Sequence, residues 1–309
     1  MSSHTFELLI LGSSSASPTA ERNQSAQLLN IAERFFLIDC GEATQIQLRK
    51  FKAKFQRIDH ILISHLHGDH FFGLPGLLGS MHLLGRQQEL TIYGPPALRE
   101  ALELIHKVSE TKLNYEVKWR FTSNKPMDLL FEDEKVEVFS FPLKHRIDCT
   151  GFLFREKPYP RKIDKYLMEK HEVSTANVHL LRDGKDVENE KGELIANRQV
   201  TLDPPKNRSY AYCSDTIYDE TIIPFIKDSD LLYHESTFLD DKEERARQTY
   251  HATAKQAATI AQKANVKKLL LGHYSARYGN LEQFREEASQ VFENCMLSLE
   301  GNTITVEHS

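Results

Sequence analysis

The sequence predicts an α+β fold: mixed sheet in layers, helices packed on it, and an arm inserted past the midpoint. Three observations predict it. Short apolar runs recur along the chain, and five of them end on a polar residue, His65, His145, Asp215, Glu235 or His273. Hairpin-forming runs precede the first helical stretch, whereas strand–loop–helix units recur in both halves. From Gly151 to Asn207 the apolar pattern gives way to charge, proline and glycine.

Taken in order, Phe6–Gly12 is an apolar strand ending in glycine, followed by the polar turn Ser13–Thr19. Arg22-Asn23 leads into a second strand, Gln27–Asn30, and Phe35–Glu42 continues the meander into a turn. Ala43–Ile58 reads as a helix, with Ile46, Phe51, Phe55 and Ile58 near helical spacing. Its other face carries Arg49, Lys50, Lys52, Lys54 and Arg57 without an acidic residue, which is a solvated face or a phosphate contact. Asp59–Ser64 is a strand and Gly73–Leu84 a helix. Leu90–Pro96 is a strand that Pro95-Pro96 stops sharply before the helix Ala97–Ser109. Strands follow near Tyr115–Phe121 and Lys135–Phe141, the second running out at His145.

Arg155–Lys170 then holds six Lys/Arg against three Asp/Glu, with Pro158 and Pro160, and shows little core-forming periodicity. A compact domain rarely keeps so long a stretch without a functional reason. Residues 152–205 are therefore expected to be an inserted arm on a single domain spanning 1–309. Order returns with strands that deliver Asp215, Glu235 and His273, and His251-Ala252-Thr253 caps an alanine-rich helix, Ala254–Ala264.

The bulk composition narrows the function. With 309 residues, 40% hydrophobic, the chain can bury one large core. A net charge of −5 means that any nucleic-acid contact must be local or carried by metal ions. Cys40, Cys149, Cys213 and Cys295 are scattered without a CxxC pair, so free thiols in a reducing compartment are expected rather than a disulfide frame. The N-terminus has no charged-then-apolar leader pattern and no apolar run reaches spanning length, so the expected location is the cytoplasm, with no membrane partner.

The densest chemistry lies in His65-Leu66-His67-Gly68-Asp69-His70, three imidazoles and a carboxylate in one short turn, with Gly68 read as the residue that lets the backbone bend. These are the ligand types of zinc and similar divalent ions. Burying such residues together without partners would be costly, and metals supply the partners. On residues alone, the same donors could serve a phosphodiesterase, a thioesterase or a metal-binding protein without activity.

The HLHGDH turn followed by Gly73-Leu74-Pro75-Gly76-Leu77-Leu78 resembles the metallo-β-lactamase superfamily and, more narrowly, ribonuclease Z (tRNase Z). That resemblance implies an α-β-β-α sandwich with two Zn²⁺ per subunit, Mn²⁺ being the substitute. It implies that His65, His67 and His145 hold one ion, Asp69, His70 and His273 the other, and that Asp215 bridges. Two such ions roughly 3.5–4 Å apart activate water and stabilise the oxygens of an in-line displacement at phosphorus. Asp69 would also serve as general base. Tyr233–Thr237 is similar to the family's HEAT motif and His251–Thr253 to its HST motif, each with one substitution that spares Glu235 and His251. By that match Glu235 orients His251, which protonates the leaving 3′-oxygen. His273–Tyr278 is similar to H-x-S-x-R-Y, so Ser275 and Arg277 would bind substrate phosphate. The implied activity is zinc-dependent removal of the 3′ trailer from precursor tRNA, leaving a 3′-hydroxyl, by a homodimer whose arm binds tRNA. The arm departs from the family in lacking a Gly-Pro-rich tip.

Overall fold

Alternation along Phe6–Gly12 sets the layers: Phe6, Leu8 and Ile10 enter one apolar cluster, while Leu9 and Leu11 belong to another. The computed structural model describes residues 4–308. Two seven-stranded mixed sheets form the body. The first runs Thr303–Thr305, Phe6–Gly12, Ala26–Ile31, Arg34–Ile38, Ile58–Leu62, Leu90–Gly94 and Val117–Phe121. The second runs Cys295–Leu297, Leu269–Gly272, Leu231–Glu235, Ser209–Cys213, Cys149–Glu156, Val136–Leu143 and Asp128–Glu132.

Between the sheets Leu8, Ile10, Leu29 and Phe36 meet Val138, Phe152, Phe154, Tyr212 and Tyr233, with the Phe36 and Phe154 rings 5.3 Å apart edge-to-face. Outside the first sheet, Leu77 and Met81 of the helix Leu74–Leu83 and Leu98 and Leu102 of Pro96–Val108 cover Leu37, Ile61 and Ile92. Outside the second, the helix Ala254–Lys263 packs through Ala254, Ala257, Ala258 and Ala261, whose small side chains admit close approach. The result is an α-β-β-α sandwich. Arg34–Ile38, Ile58–Leu62 and Leu90–Gly94 are parallel neighbours, as are Ser209–Cys213, Leu231–Glu235 and Leu269–Gly272. Their carboxyl ends are where polar residues gather, the usual place for a site in such sheets.

Several expectations need correcting. The helix read over Ala43–Ile58 spans only Thr44–Lys50, because Lys52 turns at φ 55° and a 3₁₀ turn, Phe55–Arg57, leads into the next strand. Ile46, near helical spacing with Phe51, Phe55 and Ile58 in the sequence, is 61% exposed. The HLHGDH turn is partly helical over Gly68–Phe71, and Gly68 there has no positive φ; a Cβ on it would meet the Phe72 ring at 2.3 Å.

Glu156–Arg208, together with His308, forms a second compact unit. Where the sequence shows little core periodicity, Met168, Val173, Leu181, Val187, Ile195 and Val200 are buried together. Its elements are two to six residues long, too short to display a period. Asn197 ties them by donating to the carbonyls of Leu181 (2.8 Å) and Lys185 (3.0 Å). At its border Arg208 grips Glu156 with two bonds, Nε–Oε2 2.9 Å and Nη2–Oε1 2.6 Å, both side chains 3% exposed.

Candidate metal centre

Five strand ends deliver the expected residues to one place. His65 follows Ile58–Leu62, His145 follows Val136–Leu143, Asp215 follows Ser209–Cys213, and His273 follows Leu269–Gly272 at φ 62°. Asp69 and His70 come from the short helix after His67, and Glu235 ends its own strand. His65, His67, His145 and Asp215 form one group of ligand atoms, Asp69, His70 and His273 a second, the atoms within each lying within 4.8 Å of one another. Asp215 spans both: Oδ2 is 3.6 Å from His65 Nε2 and 3.7 Å from His145 Nε2, while Oδ1 is 3.4 Å from His70 Nε2 and 3.1 Å from His273 Nε2.

The tautomers follow from the outward hydrogen bonds. His70 Nδ1–H donates to Asp39 Oδ2 (2.8 Å) and His145 Nδ1–H to the Tyr250 carbonyl (2.9 Å). Thr237 gives its hydroxyl proton to Glu235 Oε2 (2.8 Å), so Thr237 Oγ1 accepts from His273 Nδ1–H (2.9 Å). Ser64 likewise gives its proton to Asp39 (2.9 Å) and accepts from His65 Nδ1–H (3.0 Å). With Nδ1 turned outward, each of these four rings faces the cluster through Nε2, the arrangement that metal-binding histidines adopt.

His65 Nε2 and His145 Nε2 both lie 3.1 Å from His67 Nδ1, and a single proton on His67 could serve only one of them. Asp215 Oδ1, buried, has no hydrogen-bond partner among the described residues. Converging lone pairs around an unpaired carboxylate oxygen are what a pair of cations satisfies, so the donor set fits divalent metal. Cys149 Sγ comes within 3.6 Å of His65 Nδ1, but burial holds its thiol well above the usual value, which leaves only N and O donors.

Electrostatics point the same way. Burial opposes charge on His70, yet Asp215, Asp69 and Asp39 together draw its pKa well above the ordinary imidazole value. Burial likewise opposes an ionised Asp69, but the neighbouring His70 and the hydrogen bond to His273 hold the carboxyl far below its usual range. At His65, burial and the neighbouring His70 drive the value well down.

Beside the metal donors stands a separate pair. His251 Nδ1 donates to Glu235 Oε1 (2.8 Å), and Glu235 also accepts from the backbone N–H of Thr216 (3.1 Å) and Thr237 (3.0 Å). Burial disfavours a charged His251, but Glu235 and Asp215 outweigh it and raise the pKa to about 9. His251 also lies near Asp215 and His273, in a third possible ligand group, but Asp215 is 3.9 Å away and Nδ1 is already committed to Glu235.

A cavity of about 390 Å³ opens over the cluster, lined among others by Ser15, Ala16, His67, Asp69, Phe72, Arg146, Asp215 and His251. The serine turn is ordered into it: Ser14-Ser15 pairs with Tyr274-Ser275 as a small parallel ladder, and Ala16 N–H donates to Asp69 Oδ2 (2.7 Å). Ser275 and Arg277, expected at substrate, are not among the lining residues. Arg277 Nε donates to Ser275 Oγ (3.1 Å) and its guanidinium lies 5.1 Å from the Phe238 ring centre.

Asp39 and Thr237 act as positioning groups that the sequence reasoning missed. Asp39 carries the signal used elsewhere, a polar residue ending an apolar strand, and sits at φ 56°. Thr237 has no such signal, because its partners Glu235 and His273 come from different strands.

Sandwich and donor cluster together define a metallo-β-lactamase-fold protein whose clustered histidines and aspartates could hold metal ions. A family profile described as Anti-Pycsar protein Apyc1 matches residues 6–158. The ribonuclease Z of Cytophaga hutchinsonii is 48% identical over 97% of this chain and 96% of its own length. That of Parabacteroides distasonis is 41% identical over 97% and 99%. Human tRNase Z, short form, superposes with a TM-score of 0.69 at 28% identity, covering 97% of this chain and 99% of its own. The metallo-β-lactamase fold protein YhfI of Bacillus subtilis, at 19% identity and TM-score 0.68, covers 97% of this chain and 99% of its own and shares the fold. The chain belongs to the ribonuclease Z family.

Proposed function

We propose that this chain is a zinc-dependent endoribonuclease that removes the 3′ trailer from precursor tRNA and leaves a 3′-hydroxyl on the tRNA. The observation that carries it is Asp215, placed between two histidine groups and next to the Glu235–His251 pair. His65, His67 and His145 would hold one ion, Asp69, His70 and His273 the other, with Asp215 bridging. Nitrogen and oxygen donors favour Zn²⁺, with Mn²⁺ as the substitute. Divalent ions supply Lewis acidity and water activation there.

The side chains do the rest. His251 is charged at neutral pH and delivers its proton to the departing 3′-oxygen, while Glu235 holds the ring and stabilises its charge. Asp69 acts first as a ligand, since a carboxylate held so far below its usual range is a poor resting proton acceptor; as general base it takes a proton only transiently. Ser275 and Arg277, outside the cavity lining, would meet substrate only where RNA extends beyond the cavity.

The protein acts in the cytoplasm as a homodimer. Exposed Ile46 and Leu83 support a subunit contact, on the helices Thr44–Lys50 and Leu74–Leu83 that Ser80 and Gln45 join at 2.8 Å. Among the described residues no helix is long and apolar enough to cross a membrane.

The profile match over residues 6–158 contains Asp69 and His70 but not Asp215, Glu235, His251 or His273, so it leaves the acid–base pair unaddressed. The deciding experiment incubates the protein with a precursor tRNA bearing a 3′ trailer and maps the new 3′ end. Cleavage after the acceptor stem, lost on chelation and restored by Zn²⁺ or Mn²⁺, supports the proposal. Hydrolysis of a small phosphodiester or a thioester with intact precursor tRNA would replace it.

A further inference from the structure

Phe72 is an anomaly in its place. The ring lines the cavity that holds the metal donors, yet 59% of the residue is exposed. A lone exposed phenylalanine is ordinary on a protein surface; three features set this one apart.

Its backbone is fixed. Phe72 closes the four-residue helix that carries Asp69 and His70, its N–H bonded to the Gly68 carbonyl at 2.9 Å. Gly73 N–H bonds to the Cys40 carbonyl at 2.9 Å and pins the next residue. The ring is also seated. It packs edge-to-face on Phe71 with centroids 4.9 Å apart, and three of its atoms lie 2.3–2.8 Å from where a Cβ on Gly68 would be. Any side chain at Gly68 would push the ring away, although the φ of Gly68 makes no demand for glycine. The ring thus lies over the Gly68 backbone, beside the turn that carries Asp69 and His70. Lastly, the cavity also admits Arg146, a cation one residue past His145, so phosphate and base recognition are both represented in its lining.

We infer that Phe72 is a stacking platform for a nucleobase flanking the scissile phosphate, which rests on the proposed RNA cleavage and adds to it the group that holds the base. Aromatic rings accept any base face without reading its sequence, which suits an enzyme that meets many trailers. A base held beside the metal centre places the adjoining phosphodiester against the donors and the His251 acid.

The test is a cycle of variant against substrate. Precursor tRNAs are made with an abasic site at each of the two nucleotides flanking the cleaved bond in turn. They are compared with the intact precursor on wild type, Phe72→Ala, Phe72→Leu and Phe72→Trp. Stacking of this kind is worth on the order of ten- to a hundredfold. Wild-type kcat/KM should fall by that factor at one abasic position. Phe72→Ala should show the same fall on intact precursor and little further loss on the abasic one. Phe72→Trp should keep the abasic penalty and Phe72→Leu should lose it. A 2-aminopurine at the sensitive position should be quenched on binding to wild type and Phe72→Trp but not to Phe72→Leu. Losses that multiply, an abasic site without cost, or rescue by leucine would overturn the inference while leaving RNA cleavage intact. A wild type that cleaves no precursor at all would instead remove the proposed function, and this inference with it.

Discussion

His251 Nδ1 and Glu235 Oε1 stand 2.8 Å apart, an imidazole donating to a carboxylate that is fully buried. The pair is close enough, and dry enough, that neither residue keeps its ordinary pKa. Burial resists ionising Glu235, but charged His251 and its hydrogen bond win and lower the carboxyl. The same contact raises His251 to about 9.

Removing the charge from Glu235 should therefore strip His251 of its proton near neutrality. Glu235→Gln is expected to lower kcat by roughly 10²–10⁴-fold, the range of a general acid. Since His251 is competent while protonated, activity in wild type is lost as pH rises through its pKa. In Glu235→Gln that alkaline limb should move to lower pH, since the attraction of Glu235 on His251 is gone while that of Asp215 remains. His251→Ala should cost a similar factor, with RNA affinity little changed, and the double variant little more than either. Multiplying losses, or an alkaline limb that stays put, would show that the residues do not act together.

A second expectation concerns Asp39, which water does not reach. Its carboxylate accepts His70 Nδ1–H, Ser64 N–H at 2.7 Å, Ser64 O–H and Tyr212 O–H at 2.6 Å. Asparagine there has one acceptor oxygen, and its amide must meet a donor that the fold cannot withdraw. Asp39→Asn should weaken metal binding by roughly 10–100-fold, as losses of such outer partners do. Metal analysis after dialysis against a mild chelator checks it: the variant should hold less metal than wild type. Equal metal content would mean that strand geometry alone orients His70.

The contrast between Asp39 and the ligands shows what is legible in the chain. His65, His145, Asp215 and His273 can be read because each follows a strand whose apolar run is plain, as at Leu269-Leu270-Leu271-Gly272-His273, and His67, Asp69 and His70 because they crowd the turn beside His65. Cys149–Glu156 does not read as a strand, because Thr150 and Gly151 break its apolar run. Gly151 is there for space, since a Cβ would meet the Phe141 ring at 2.4 Å. Asp128–Glu132 and the C-terminal elements Glu282–Ser289, Cys295–Leu297 and Thr303–Thr305 are also hidden in the sequence, the strands being only three to five residues long. Pairing partners decide such segments: Thr303–Thr305 is a strand because Leu9, Leu8 and Glu7 lie opposite it.

Acid sensitivity should be traceable to His60, away from the metal donors. Its ring stacks on Phe36 with centroids 4.8 Å apart and Nδ1 lies 3.1 Å from Tyr93 Oη. Burial lowers its pKa to about 4. The unfolded chain therefore takes up a proton near pH 6.5, before the folded one does. The stability due to a neutral His60 is full above about pH 6.5 and is lost as pH falls towards 4, by at most about 3 kcal/mol. His60→Phe leaves the Tyr93 hydroxyl without this partner and should be less stable near pH 7. Its melting temperature should nonetheless vary less between pH 7 and 4 than that of wild type, both measured after chelation so that metal release does not contribute. Parallel profiles would place the acid sensitivity elsewhere.

The last expectation concerns the unit Glu156–Arg208. Arg155 and Ser209 face each other as register partners on antiparallel strands, so the unit leaves and re-enters the sheet at one rung. Excising Glu156–Arg208 and joining Arg155 to Ser209 through Asn-Gly would turn the two strands into a two-residue hairpin. The metal donors lie outside the excised stretch. Of the cations read in the sequence, Arg155 stays behind over the Phe139 ring at 5.6 Å, and Arg161 is held by Thr201 (2.7 Å) and Asp203. Lys162, Lys165 and Lys170 are exposed and free to position phosphate without reading sequence. If this unit holds tRNA, the excised protein should hydrolyse a small phosphodiester at close to the wild-type rate while precursor-tRNA cleavage falls steeply. Replacing Lys162, Lys165 and Lys170 with alanine should flatten the salt dependence of tRNA binding, by roughly 0.7–0.9 in log–log slope for each phosphate that these lysines neutralise. Equal loss on both substrates after excision would mean that the unit supports the fold of the site. Equal retention would mean that tRNA is held elsewhere, with the basic stretch from Arg49 to Arg57 the next surface to neutralise.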